Sequence, residues 1–338
     1  MKTLRCFLLL ALVAAVVGTA FAQTLTKTGT TAAPLLKIGV GPRAIGMGGA
    51  FAATADDILA LYWNPGGLGN SFGNEAFFNH TFWFADIAVD YAAVTARIGD
   101  LGTLGVFVTS MALDEMDVRT VEQPRGTGER FDAGSLVIGL SYGRNLTDNF
   151  GIGFTAKYIR EDIWHSSATG FAFDVGVLYR IEVLNELRLA ATVSNFGPKM
   201  QMEGIDNLMV VQVGGSTGNL INTYVEVEEF DLPLLFRVGV AADVIKEEEN
   251  RLTLAVDAVH PNDNTEYLNT GAEYGWNDML FVRAGWKSLF ERDTEQGWTA
   301  GVGLHYRIVG SVKVKVDYAY QDFGRLANVQ YLSLAVVF

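Results

Sequence analysis

The chain has 338 residues, a formal net charge of −13 and 49% apolar residues, with 37 glycines and a single cysteine. So acidic a chain lacks the clustered Lys and Arg that phosphate recognition needs, which excludes nucleic acid as an expected partner. The cysteine, Cys6, lies in the leader described next, so the mature chain carries neither a disulfide nor a cysteine metal site and depends on burial and hydrogen bonds.

Lys2 and Arg5 precede an unbroken apolar run over 7–17, which is too short to cross a bilayer as a helix. Ala20-Phe21-Ala22 then supplies the small-residue pattern cleaved by a signal peptidase. The expected division is a signal peptide over 1–22, an N-terminal segment over 23–74 and a strand-rich body over 75–338. Leu4-Arg5 before Cys6 is not a lipoprotein cleavage box. Losing Lys2 and Arg5 with the leader brings the mature chain to −15. After residue 22 no stretch of eighteen consecutive apolar residues occurs, so transmembrane helices are not expected.

The segment 23–74 reads as two short helical turns. Gly39-Val40-Gly41-Pro42-Arg43-Ala44 satisfies a loose dinucleotide-binding pattern, but Gly46-Met47-Gly48-Gly49 follows where that pattern needs a helix, so nucleotide binding is rejected. Asp56 or Asp57 is expected to cap a helix through Leu61, because a carboxylate accepts the free N–H groups of a first turn. Asn64-Pro65 stops it, and Gly66-Gly67 is expected to allow a sharp reversal into the first strand.

From residue 75 the chain repeats segments of bilayer-crossing strand length, each followed by a turn. They are 75–84, 87–98, 103–112, 134–144, 149–160, 168–181, 187–196, 235–245, 251–260, 265–275, 279–288, 297–308, 312–320 and 330–338. These make fourteen, an even number, as a bacterial outer-membrane barrel requires. In 297–308, Trp298, Ala300, Val302, Leu304, Tyr306 and Ile308 share one face, while Thr299, Gly301, Gly303, His305 and Arg307 share the other. The segments 168–181, 235–245 and 312–320 divide in the same way. The minority face is rich in glycine and carries isolated charges of both signs, which suits a lumen packed around a plug better than a soluble sandwich. Trp298, Trp286, Tyr318, Tyr179 and Tyr274 lie near segment ends on the apolar face, where interfacial girdles sit. Segments 87–98 and 103–112 alternate less clearly.

Even-numbered connections, such as 99–102, 145–148 and 309–311, are short and rich in Asn, Asp and Gly. Odd-numbered ones, such as 113–133, 197–234 and 289–296, are mostly longer. That is the asymmetry between periplasmic turns and extracellular loops, with the short first connection as the expected exception. Phe338 closes the last segment on its apolar face, as the terminal aromatic of an outer-membrane barrel does. The expected fold is an all-β, 14-stranded antiparallel transmembrane barrel in the bacterial outer membrane, with a short, partly helical plug in its lumen.

Three stretches resemble a known family: Gly41-Pro42-Arg43-Ala44-Ile45-Gly46-Met47-Gly48-Gly49-Ala50-Phe51, Ala55-Asp56-Asp57, and Tyr62-Trp63-Asn64-Pro65-Gly66-Gly67-Leu68. They are similar to the signature of the PorV/PorQ outer-membrane proteins, relatives of the long-chain fatty-acid transporter barrels. Those transporters carry an Asn-Pro-Ala-Gly-Leu hatch motif, in which Gly66 here replaces the alanine. The resemblance implies a barrel with its N-terminal segment folded inside. It further implies a role in type IX secretion, in which a PorV protein accepts cargo by a C-terminal domain and delivers it to a sortase.

No enzyme constellation emerges. His80, His165, His260 and His305 lack metal-ligand spacing, and neither a G-x-S-x-G nor a Walker A sequence is present. No metal or other cofactor is expected. The candidate functional residues are the plug motif, Arg43, Gly46, Gly48, Gly49, Asp56, Asp57, Asn64 and Pro65, and a set of inward charges. Those charges are Asp174, Arg237, Asp243, Asp257, Glu273, Arg283, Lys287, Arg307, Lys313, Lys315 and Asp317, which need partners or water if buried and are expected to hold the plug. Two functions fit: a secretion partner whose long loops 113–133 and 197–234 engage cargo, a sortase or a translocon, or a channel for hydrophobic small molecules. Outer-membrane lipid and lipopolysaccharide are the expected surroundings. The acidic loop groups Asp114-Glu115-Asp117 and Glu226-Glu228-Glu229 are read as solvated charge.

Overall fold

The computed structural model describes residues 28–338 apart from 72, 184, 215–217, 293 and 327, so the expected signal peptide lies outside the described residues. Fourteen antiparallel strands form the body: β1 (Glu75–Phe82), β2 (Ala88–Arg97), β3 (Thr103–Ala112), β4 (Ala133–Thr147), β5 (Phe150–Ile163), β6 (Ser166–Ile181), β7 (Leu187–Phe196), β8 (Leu235–Lys246), β9 (Asn250–Pro261), β10 (Tyr267–Trp276), β11 (Leu280–Leu289), β12 (Trp298–Val309), β13 (Val312–Asp322) and β14 (Asn328–Val337). Each pairs with its neighbour in sequence, and β1 pairs with β14 from Glu75↔Val337 to Phe82↔Gln330, which closes the sheet. Closure leaves no unpaired strand edge, the condition for putting β-structure into a membrane where no water can satisfy backbone groups.

The expected segments and the strands coincide one for one. The lipid-facing sets also hold: in β12, Trp298, Val302, Leu304 and Tyr306 are exposed while Thr299, Gly301, Gly303 and His305 are buried. The five end-of-strand aromatics Trp298, Trp286, Tyr318, Tyr179 and Tyr274 are all exposed. In β2 and β3 the weak alternation has a physical cause. Their inward residues Val89, Tyr91, Ala93 and Phe107 are as apolar as the outward ones, because Phe77, Tyr91 and Phe107 pack ring on ring into the lumen beside Leu61.

Tight turns and both termini of the strand chain gather at one end, which by the usual asymmetry faces the periplasm. The long loops crown the outer end, with one correction. The fifth connection, expected over 161–167, is the two-residue turn Trp164-His165, since β5 and β6 stay paired out to Ile163↔Ser166. The loop 113–132 contains a small hairpin, Met116–Asp117 with Arg130–Phe131. The loop 197–234 carries a larger one, Leu208–Val213 with Asn219–Tyr224.

Val302 sits on the lipid face with 53% of its surface exposed, whereas Val121, 94% exposed, lies in an outer loop. Val302→Arg is expected to lower the unfolding free energy in lipid by about 2–4 kcal/mol, and Val121→Arg to leave it unchanged; urea titration of the barrel in vesicles, followed by heat-modifiable gel mobility, reads both.

Candidate functional site: the filled lumen

The residues from Thr31 to Ser71 occupy the barrel interior. The chain enters beside the outer loops, where the Ala32 N–H donates to the Asp231 carbonyl at 2.9 Å and the Ala33 N–H to the Glu161 carboxylate at 3.0 Å. Lys37 bridges to Asp263 at 2.5 Å at the same end. It then descends through two short helices, α1 (Pro42–Gly46) and α2 (Ala60–Trp63), to a 3-10 turn at Pro65–Asn70 near the periplasmic rim, and passes into β1.

Two backbone contacts fix the path. In the first, the run Gly46-Met47-Gly48-Gly49 lies against Gly271, Gly285 and Gly301 on the wall strands β10, β11 and β12. The Gly48 N–H donates to Thr299 Oγ1 at 2.9 Å, and the same hydroxyl donates to the Gly46 carbonyl at 3.1 Å. A Cβ on Gly48 would lie 2.6 Å from the Thr270 carbonyl oxygen and 2.7 Å from the Trp286 nitrogen, and its φ of +66° also disfavours a side chain. In the second contact, Pro65 and Gly66 press on Gly143, Gly153 and Gly176 of β4, β5 and β6. The glycine-rich inward face is therefore where backbone meets backbone.

Polar groups tie down the rest. Arg43 makes a bidentate fork to Glu273, Nε to Oε2 at 3.0 Å and Nη2 to Oε1 at 3.1 Å, and also bridges to Asp56 at 2.6 Å and Asp57 at 2.7 Å. Enclosure raises the Asp56 carboxyl, but the Arg43 guanidinium outweighs it and holds the acid below the ordinary carboxylate range. From Glu273 the network continues through Arg283 at 2.7 Å to Asp317 at 2.6 Å, where His305 approaches at 3.3 Å. Lys315 bridges to Glu75 at 2.6 Å, and Glu75 accepts from the Ile58 N–H at 3.3 Å. Higher in the lumen, Asp257 accepts from the N–H groups of Phe51 at 3.0 Å and Ala52 at 2.9 Å. Arg237 stacks 4.9 Å from the Trp63 ring centroid, and the Trp63 indole donates to the Val40 carbonyl at 2.9 Å. Asn64 donates to the Ala52 carbonyl at 2.8 Å while its Oδ1 accepts from the Gly66 N–H at 3.0 Å, pinning the bend before Pro65.

The remaining inward charges have separate roles. Asp174 pairs with Lys157 at 2.6 Å, and Asp243 pairs with Arg188 at 2.5 Å, within the wall. Lys313 borders the periplasmic mouth and Lys287 borders a cavity at the outer end. Arg307 keeps the inward alternation of β12, in register opposite Lys313, but is exposed because it lies at the periplasmic end of the strand. In the inner segment Asp57 does meet the first turn ahead of α2, its Oδ1 accepting the Leu59 N–H at 2.9 Å while Oδ2 bridges to Arg43, whereas Asp56 is turned to Arg43. Gly66 and Gly67 sit inside the 3-10 turn that precedes β1, where a Cβ on either would strike backbone. Lys157, Arg188, Glu75 and Glu161 escaped the sequence reading, although each lies two residues from an inward neighbour on its strand, a spacing that would have revealed them.

A family model described as "Type IX secretion system protein PorV" matches residues 21–228, more than half of the chain. The chain belongs to the PorV family. No curated protein sequence matches it. Among solved structures, the CymD monoaromatic hydrocarbon channel is similar with TM-score 0.55 and 12% identity, covering 88% of this chain and 96% of that one. The toluene transporter TbuX of Ralstonia pickettii gives 0.54 and 12%, covering 88% and 97%. A Pseudomonas aeruginosa FadL homologue gives 0.51 and 11%, covering 87% and 97%. At these identities the likeness is one of fold, and it agrees with this PorV-family protein being an outer-membrane barrel.

The sequence has one cysteine, Cys6, in the expected leader, so in the chain from residue 23 a single introduced thiol reports on the lumen without background. Ala53 is buried in the inner segment. With Ala53→Cys, maleimide labelling in intact micelles is expected to be negligible. Adding Arg43→Gln, which takes the cation from Asp56 and Asp57 and leaves Glu273 only Arg283, at a cost of about 3–5 kcal/mol, is expected to open that thiol to labelling.

Proposed function

We propose that this PorV-family barrel works in type IX secretion by engaging a secreted protein, or a partner of the secretion machinery, at its outer end. The observation that carries this reading is the hairpin Leu208–Val213 with Asn219–Tyr224. It stands clear of the barrel as a separate two-stranded sheet, and every residue of the second strand is exposed. Val210 is 61%, Leu220 72% and Tyr224 68% exposed. A hairpin apolar on both faces, with unpaired edges, suits a partner that covers its side chains or adds a strand to it. The other apolar part of this loop, Leu232 and Pro233, is folded inward and is not part of that surface. Glu226, Glu228 and Glu229 follow the hairpin and favour a partner with basic residues at its margin. The inner segment, packed and hydrogen-bonded through the middle and periplasmic part of the lumen, favours the outer loops as the surface for a protein partner.

A second reading, passage of a hydrophobic small molecule, draws on the named cargo of the similar barrels and on a cavity at the outer end of the lumen. In it the inner segment acts as the gate.

Val210→Asp combined with Leu220→Asp separates the two. Heat-modifiable mobility is expected to be unchanged, while release of secreted cargo falls by about tenfold or more, as expected for losing two apolar anchors of about 1–2 kcal/mol each. Normal secretion by this variant, together with an apolar molecule bound in the native barrel by mass spectrometry, would sink the secretion reading.

A further inference from the structure

The outer end of the lumen holds a cavity of about 180 Å³ whose floor is Tyr62 and Trp63 and whose wall includes Tyr267, Lys287, Ser288 and Arg237. Its cations are unequally matched. Lys37 is held by Asp263 at 2.5 Å, and Lys157 by Asp174 at 2.6 Å. Arg237 reaches Asp257 only at 4.0 Å, and its Nε makes no hydrogen bond. Lys287 has no ion pair or side-chain hydrogen bond among the described residues, although its backbone is fixed by donation to the Gly297 carbonyl at 3.0 Å. Beside it, Ser288 Oγ is buried without a partner.

Buried polar atoms are nearly always satisfied, so two buried atoms left open, Arg237 Nε and Ser288 Oγ, with the half-buried Lys287 ammonium beside the same cavity, mark the place of an acceptor. We propose that this cavity binds a small organic monocarboxylate, its anion between Lys287 and Arg237 and its apolar part against Tyr62, Trp63 and Tyr267. The volume sets the size, since a cavity of about 150 Å³ holds a benzene ring. The acids set the charge. Asp263 is paired through Oδ2 with Lys37 and Thr31, but Glu291, which also borders the cavity, keeps Oε2 unpartnered while Oε1 accepts from Asn264 at 2.5 Å. That second carboxylate disfavours a dianion and leaves room for one negative group. The proposal rests on the cavity alone and stands or falls separately from the secretion reading.

The test is calorimetric titration of the folded, mature full-length barrel in non-ionic micelles with benzoate and with its neutral isostere benzamide. Benzoate is expected to bind saturably at one site, about tenfold or more tighter than benzamide, the margin of one charge-assisted hydrogen bond. Lys287→Gln is expected to remove that margin for benzoate and leave benzamide unchanged. Glu291→Gln, which keeps its acceptor for Asn264, is expected to tighten benzoate, and it decides the matter should Lys287→Gln fail to assemble. Absence of saturable benzoate binding, equal affinities for the two probes, or indifference of benzoate to the deciding substitution overturns the proposal.

Discussion

A closed sheet of fourteen strands solves the backbone hydrogen-bonding problem of the membrane but creates another, because its interior is wider than the wall's own side chains can fill. In this protein the gap is closed by the chain itself. The inner segment brings its backbone against the wall at two places, Gly46-Met47-Gly48-Gly49 on β10 to β12 and Pro65-Gly66 on β4 to β6. Both contacts need glycine on each side, so the glycine content of the wall and that of the segment are one constraint seen twice.

Close backbone approach leaves little room for water, so polar groups in the interior must find protein partners. Arg43 is the hub of the periplasmic half: one guanidinium serves three carboxylates, and Arg283 carries the chain of charges onward to Asp317. Asp257 and Asn64 do comparable work nearer the middle by meeting backbone N–H and C=O groups of the segment. The outer end is different. There the segment is held by fewer bonds, and the cavity beside Trp63 retains donors that the protein does not satisfy.

The strands were legible because lipid on one side and a polar, glycine-lined lumen on the other impose a period of two. Where the lumen is itself apolar, at Tyr91 and Phe107, the pattern fades although the strands are unchanged. The direction of Arg237, Glu273 or Asp317 followed from the same period, but their partners did not, since Arg43 and Glu273 are 230 residues apart. At Asp57 the local capping chemistry was legible, since Oδ1 takes the Leu59 N–H, but the bridges of Asp56 and Asp57 to Arg43 form only in the folded segment. Arg307 holds the inward parity of β12 opposite Lys313, but its place at the strand end leaves it exposed, and the period of two does not say where the lumen stops. The hairpin in the long loop was visible as an apolar stretch, but its exposure on both faces and the burial of Leu232 and Pro233 were not, since both depend on the folded loop.

Hydrogen–deuterium exchange of the barrel in lipid nanodiscs tests the filled lumen most directly. If the segment is packed and bonded as described, amides over 44–64 exchange as slowly as those of β10 to β12, slower by about a hundredfold or more than those of the loop 113–132. Exchange over 44–64 at the rate of that loop would contradict the account, because it would mean that the barrel stands closed without its interior being held.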